Sequence, residues 1–228
     1  MDKNKEVIKD MFNSIAPTYD SLNHLLSFNV DKRWRKKLII SLNEKKLKVL
    51  DLACGTGDLS EALYDKGYDV IGADYSEKML EIAKNRANQT HKNIKYIRSN
   101  AEHLSFEDEV FDVVTISFGI RNFDKREVCL SEIFRVLKKN GKLRILEFSI
   151  PKNKFWKFIY SWYFKKILPF IGRIVSKQKS AYNYLPNSTF DFPNQKDFVE
   201  ELNGAGFQVI KYWTFTGGIC TLYSADKY

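Results

Sequence analysis

Two glycines set two positions apart, Gly55 and Gly57, lie in the stretch L-D-L-A-C-G-T-G-D at 50–58. A Gly-x-Gly turn directly after an apolar, β-prone run lets the chain bend sharply and lets a ligand approach bare backbone. Dinucleotide sites carry a third glycine three positions on, and here Ser60 stands in its place. On its own the turn is compatible with a tight bend and nothing more. Asp74 closes the next β-prone run. A carboxylate there accepts hydrogen bonds from both hydroxyls of a ribose; the alternative is a strand-end Asp or a helix N-cap. After the third run comes S-N-A-E at 99–102, where Asn100 and the backbone of Ala101 would meet an adenine edge or simply make a turn. Glycine turn and carboxylate together point to a cofactor that carries a nucleoside.

These residues need a frame, and the surrounding pattern supplies one. Short β-rich runs alternate with helical periodicity, the order of a parallel sheet with crossover helices. Strands are predicted at 48–53, 69–73, 94–98, 111–118 and 142–148. Helices are predicted from Asp58 to Asp65, from Ser76 onward with Met79, Leu80, Ile82, Ala83 and Ala87 inward, and from Glu127 to Leu137. The core side of that last helix is read as Val128, Ile133, Val136 and Leu137, with Asn140-Gly141 ending it. After Pro151 the pattern changes. Residues 154–175 read as an aromatic, basic amphipathic helix broken near Pro169, 182–193 as loop and 194–205 as helix. Residues 207–215 and 219–225 then alternate around Thr216-Gly217-Gly218, a spacing that forces two antiparallel strands. Residues 1–46 form an appendage with helical segments at 7–12 and 33–42. The expected division is one domain over 1–228: an N-terminal helical cap (1–46), a cofactor-binding core (47–150), a basic aromatic lid (151–193) and a C-terminal helix and hairpin (194–228).

The 37 basic residues outnumber the 28 acidic ones in the 228-residue chain. Eight of the positives fall between Lys152 and Lys179, a stretch without Asp or Glu, so the basic character is a patch. Cys54, Cys129 and Cys220 have no C-x-x-C spacing, which argues against a disulfide framework and a zinc site, and no metal is expected. The N-terminus has no apolar run behind its charges, and no stretch approaches the roughly 20 residues of a membrane span. A cytoplasmic protein is expected, peripheral to the inner face of the cell membrane where the patch meets anionic lipid.

The glycine turn, Asp74, Asn100 and the closing hairpin together resemble the class I S-adenosylmethionine-dependent methyltransferases, which implies a Rossmann-like α/β sheet, mostly parallel, with helices on both faces. Longer strings narrow the resemblance: Y-D-S-L-N-H-L-L-S-F-N-V-D-K-R-W at 19–34, T-I-S-F-G-I-R-N at 115–122, R-V-L-K-K-N-G-K-L-R-I-L-E-F-S at 135–149 and T-G-G-I at 216–219. These are similar to the quinone-biosynthesis C-methyltransferases. Asn29, Asp31 and Asn140 depart from the usual pattern of that family, as does the C-terminus. The resemblance implies S-adenosylmethionine as cofactor and a prenylated quinol, demethylmenaquinol or the related benzoquinol, as substrate. It places the cofactor contacts on Thr56, Asp74, Asn100, Ala101 and Ser117, with Gly55 and Gly57 giving close approach. Asp51 would organise the turn and reach the methionine amino group through water, or simply cap a strand end.

Methylating a ring carbon requires the neighbouring hydroxyl to lose its proton, so the enzyme needs a base or a cation facing the oxyanion. Arg121, at the carboxyl end of the fourth strand, is the candidate for that contact, with a surface salt bridge as its alternative; an arginine stays charged and suits stabilisation better than proton abstraction. Tyr19 and Asp20 lie in the appendage and would orient a base water. His24 is a candidate by residue type, yet a lone histidine is more often structural. A nucleic-acid methyltransferase would show [D/N]-P-P-[Y/F] after the fourth strand, and S-F-G-I stands there instead, so no nucleic-acid partner is expected. Nothing in the sequence sets an oligomeric state.

Overall fold

A computed structural model describes residues 5–163 and 179–228. Seven strands make one sheet: β1 (Lys48–Leu52), β2 (Asp69–Asp74), β3 (Lys95–Arg98), β4 (Phe111–Ser117), β5 (Leu137–Phe148), β6 (Gln208–Phe215) and β7 (Cys220–Asp226). Their order is β3-β2-β1-β4-β5-β7-β6. The first five are parallel, and β7 runs antiparallel between β5 and β6. β1 and β4 are buried almost throughout, as their apolar runs require, because helices cover both faces. The winding reverses between these two neighbours, so the loops leaving their carboxyl ends part and open a crevice.

The described helices are α1 (Lys5–Ile15), α2 (Tyr19–Leu26), α3 (Val30–Ile40), α4 (Asp58–Tyr64), α5 (Glu77–Gln89), α6 (Arg126–Val136), α7 (Lys154–Trp162), α8 (Lys179–Phe190) and α9 (Gln195–Gly204). α5 begins where Ser76 Oγ accepts from Met79 N, and Glu77 sits in the dipole-favoured first turn. Its buried stripe of Leu80, Ala83 and Ala87 packs on Tyr96 of β3. α6 and α9 cover the other end of the sheet through Leu130, Ile133, Phe198 and Leu202. Each such side chain contributes about 1.5–3 kcal/mol on burial. On the opposite face Trp34, Leu38 and Leu42 of the N-terminal cap pack with Leu59 and Leu63 of α4 against Val49, Val113 and Leu146.

Several expectations need correction. The segment 182–193 is not loop: most of it lies in α8, with Pro186 inside the helix. Tyr184, Ser188 and Thr189 are buried, and that packing outweighs the hydrogen bond the proline removes. α2 was not expected, although Tyr19, Leu22 and Leu26 stand at helical spacing in the sequence. Val128 is 43% exposed, and the core stripe of α6 is Cys129, Leu130, Ile133 and Val136. Asn140-Gly141 does not end a helix but bulges β5: Phe111 faces Leu137, whereas Val113 faces Lys142. Asn140 takes a left-handed φ of 62° there. The aromatic helix forms as α7 over Lys154–Trp162, and the break expected near Pro169 lies outside the described residues.

Candidate active site

A cavity of about 850 Å³, partly open to solvent, lies over the carboxyl ends of β1 to β4. Its floor is where the loops after β1 and β4 come closest. Ala53 and Phe118, the residues just past these strands, both take left-handed backbone (φ 56° and 59°), a strained conformation for residues with side chains. A Cβ on Gly119 would stand 2.6 Å from the Ala53 Cβ, so only glycine lets the two loops approach this closely. Gly55, at φ +56°, leaves open space where its side chain would be.

Asp74 ties this turn to the end of β2. Its Oδ2 accepts from Gly55 N at 2.8 Å and its Oδ1 from Ser76 N at 2.8 Å. Burial nevertheless pushes its carboxyl above the ordinary carboxylate value, against the pull of these backbone donors. Asp51 lies behind the turn, where Ser60 Oγ donates to it at 2.6 Å and Thr115 Oγ1 at 3.0 Å. Burial raises its carboxyl to about 6.

The cavity wall carries two orphaned groups. Ser99 Oγ and Ser117 Oγ are buried and have no hydrogen-bond partner among the described residues. Buried hydroxyls are nearly always satisfied, so these two are suited to a polar ligand. Asn100 and Ala101 line the same wall. α1 closes the cavity from outside with Lys5, Ile8, Lys9 and Phe12, held by Lys5 Nζ to Glu102 at 3.2 Å and by Ser76 Oγ donating to Asn13 at 2.7 Å. A cleft with a carboxylate in its lining, two hydroxyls without partners among the described residues and bare glycine backbone fits an adenosine carrying an amino-acid tail.

A family model described as the ubiE/COQ5 methyltransferase family matches residues 1–227. The chain belongs to this family. It is an S-adenosylmethionine-dependent C-methyltransferase. Among its relatives are the ubiquinone/menaquinone biosynthesis C-methyltransferase UbiE of Campylobacter jejuni, 42% identical with both chains covered completely, and the demethylmenaquinone methyltransferase of Staphylococcus saprophyticus, 41% identical over 98% of this chain and 97% of that one. An S-adenosylmethionine-dependent methyltransferase from Thermotoga maritima has the same fold, with a TM-score of 0.69 at 18% identity over 96% of this chain and all of that one.

In this methyltransferase the cavity brings together Gly55, Asp74, Asn100, Ala101, Ser117 and Tyr19. Five other candidates stand outside its lining. Asp51 is spent on Ser60 and Thr115. Gly57, at φ +91°, faces the Tyr96 hydroxyl, 2.5 Å from where its Cβ would be. Thr56 turns its hydroxyl to Asp20. Asp20 also accepts from Arg86 Nη1 at 2.9 Å, which in turn donates to Asp58 at 3.0 Å, so Asp20 latches α2 to the glycine turn. Arg121 is only 3% exposed, which removes the surface salt bridge as its explanation. Its Nη1 donates to Glu147 Oε1 at 2.8 Å, and its Nε is buried without a partner among the described residues. Its charge reaches Tyr19, Tyr160 and Tyr184, partly offsetting the burial that raises all three phenols.

His24 is structural. Its Nδ1 lies 2.8 Å from Asp31 and its Nε2 3.3 Å from Asp58. These three residues bring ligand-type atoms within 4.8 Å of one another, yet Arg35 already pairs with both carboxylates and supplies the positive charge. Sequence reasoning missed Tyr75, Gly119, Asn122 and the whole α1 wall. Tyr75 was within reach as the neighbour of Asp74, whereas α1 reaches the cavity through tertiary packing that no local spacing announces.

Proposed function

We propose that this methyltransferase alkylates a ring carbon of a prenylated quinol, demethylmenaquinol or the related benzoquinol of ubiquinone synthesis. The observation that carries the reading is the buried Arg121 guanidinium just past β4, outside the cavity lining but with its charge reaching Tyr19, which lines it. A quinol carbon becomes nucleophilic only as its neighbouring oxygen gains negative charge, and a fixed cation in a dry site is the group that lowers that barrier. S-adenosylmethionine, when bound, supplies a methyl group already activated on a sulfonium. The chain's own part is therefore mostly placement, which is worth on the order of 7–11 kcal/mol at best. Asp74 takes the ribose hydroxyls, Asn100 and Ala101 the adenine edge, and Ser117 the amino-acid end over Gly55. Tyr19 orients the acceptor oxygen or the water that takes its proton, and Asp20 holds the helix that carries Tyr19. In this division the described residues of 1–46 cap the site, 47–150 holds the cofactor, the described residues of 151–193 form the lid, and 194–228 completes the sheet.

The substrate also suggests where the enzyme works. A prenylated quinol resides in a bilayer, and α7 turns Phe155, Phe158 and Trp162 outward at 66%, 71% and 54% exposure, with Lys152, Lys154 and Lys157 at and before its first turns. Apolar side chains flanked by lysines suit peripheral docking to anionic lipid on the inner face of the membrane, with about 1 kcal/mol from each lysine near the surface. Lys165 and Lys166 of the basic patch lie outside the described residues. Among the described residues no helix is long and apolar enough to cross a membrane.

Mass spectrometry of quinones from cells lacking the gene tests the substrate: a species lighter by one methyl is expected to accumulate, and an unchanged quinone profile would remove the reading. Co-sedimentation with vesicles containing anionic lipid tests the docking. Binding is expected for the parent protein and at least a tenfold loss after K152E/K154E/K157E; no binding by the parent protein would end it.

A further inference from the structure

Glu147 lies on β5, beside the strand that delivers Arg121, and is completely buried without lining the cavity. Withdrawing a carboxylate from water costs several kcal/mol unless every lone pair is used, and a buried ion pair often contributes less stability than apolar residues of the same volume would. Fold stability alone is thus a weak reason for Glu147. Its bonding indicates another.

The carboxylate holds one residue at two points. Oε1 accepts from Arg121 Nη1 at 2.8 Å and from Phe148 N at 2.8 Å, and Oε2 accepts from the backbone N of Arg121 at 3.2 Å. Arg121 Nη1 also donates to the Phe118 carbonyl, in the left-handed turn on the cavity floor. The guanidinium lies over the Phe148 ring, 5.4 Å from its centroid. Backbone and side chain of Arg121 are therefore fixed by the same carboxylate, and its buried Nε–H has no partner among the described residues. Next door Tyr184 donates to Asn122 Oδ1 at 3.0 Å, so α8 pins the following residue of the turn.

We propose that Glu147 is a positioning residue for methyl transfer, clamping Arg121 so that its guanidinium is presented as a rigid, permanently protonated donor toward the acceptor's developing oxyanion. The proposal rests on the reading of Arg121 as the oxyanion contact. It also assigns the proton to a group other than Arg121, because a guanidinium held against a buried carboxylate has no tendency to give up its charge.

The test uses E147Q, which keeps the shape but removes the charge, and E147D, which keeps the charge but withdraws it by one methylene. R121Q and R121Q/E147Q complete a cycle. Expected results are a fall in kcat of at least tenfold for E147Q and E147D, with the calorimetric Kd for S-adenosylmethionine within twofold of the parent. E147Q should lower kcat less than twofold further when added to R121Q, since Glu147 acts through Arg121. Parent-like kcat in either folded single variant, or effects that multiply across the cycle, would overturn the proposal. A second readout needs no acceptor: hydrogen exchange of the Arg121 Nε–H, identified by its loss in R121Q, should be at least tenfold faster in E147Q and E147D. Equal exchange would overturn the clamp. Failure of the parent to methylate any quinol, with that exchange difference intact, would instead remove the substrate reading alone.

Discussion

Asp51 offers a quantitative check on how the glycine turn is held. Its carboxylate is sealed between α4 and β4, takes hydrogen bonds from Ser60 and Thr115, and has its pKa raised by burial from 3.8 to about 6. In the unfolded chain it titrates at the ordinary value, so between about pH 4 and pH 6 the native state binds more protons than the unfolded state. Stability from this group must then fall as pH rises through that window. A shift of roughly two units at about 1.4 kcal/mol each makes the penalty about 3 kcal/mol, complete by about pH 7. Asp51→Asn removes the ionisation while keeping an acceptor for one hydroxyl, and the other hydroxyl can rotate to accept from the new amide. Urea unfolding of parent and variant from about pH 4 to pH 7 isolates the effect from all other carboxylates. The stability difference, parent minus Asp51→Asn, should drop by about 3 kcal/mol across the range. A difference that is flat, or that rises with pH, would refute the burial argument.

Three further outcomes follow from the same contacts. Asp74→Ala removes the acceptor for two ribose hydroxyls, each about 1.5 kcal/mol as a charge-assisted bond, so the Kd for S-adenosylmethionine should rise roughly 100-fold by calorimetry, and a change below fivefold would contradict it. Because burial raises the Asp74 carboxyl and only its ionised form accepts from both hydroxyls, affinity in the parent protein should weaken as pH falls through that titration; affinity unchanged down to about pH 4 would argue against the contact. Gly119→Ala drives a Cβ into Ala53, so a loss of about 1–3 kcal/mol in thermal unfolding is expected together with weaker cofactor binding; parent-like values for both would show that the floor can yield.

The sheet and the glycine turn with its carboxylate were legible because their signals are local. The apolar run, the glycines at 55 and 57 and the carboxylate at 74 all act within one crossover unit, where spacing determines geometry. α8 was illegible because its Asn, Pro and Ser residues favour turns, and only burial of Tyr184, Ser188 and Thr189 against the rest of the chain holds it helical. The catalytic side was read by residue type and not by partner. Arg121 could be picked out from its strand end, but its clamp comes from 26 positions away, and Thr56 is claimed by Asp20 from 36 positions away. The α1 wall depends on a contact spanning 97 positions, Lys5 to Glu102. Such pairings arise from the completed fold and leave no trace in neighbouring residues.

Carbon methylation of a reduced quinone is tested most directly by a labelling experiment. Purified protein would be incubated with S-adenosylmethionine carrying a carbon-13 methyl and with chemically reduced demethylmenaquinone in detergent or vesicles. The expected product carries the label on a ring carbon, forms mole for mole with S-adenosylhomocysteine and is absent when the quinone is left oxidised. Label on an oxygen, or no product while calorimetry shows the donor bound, would contradict it.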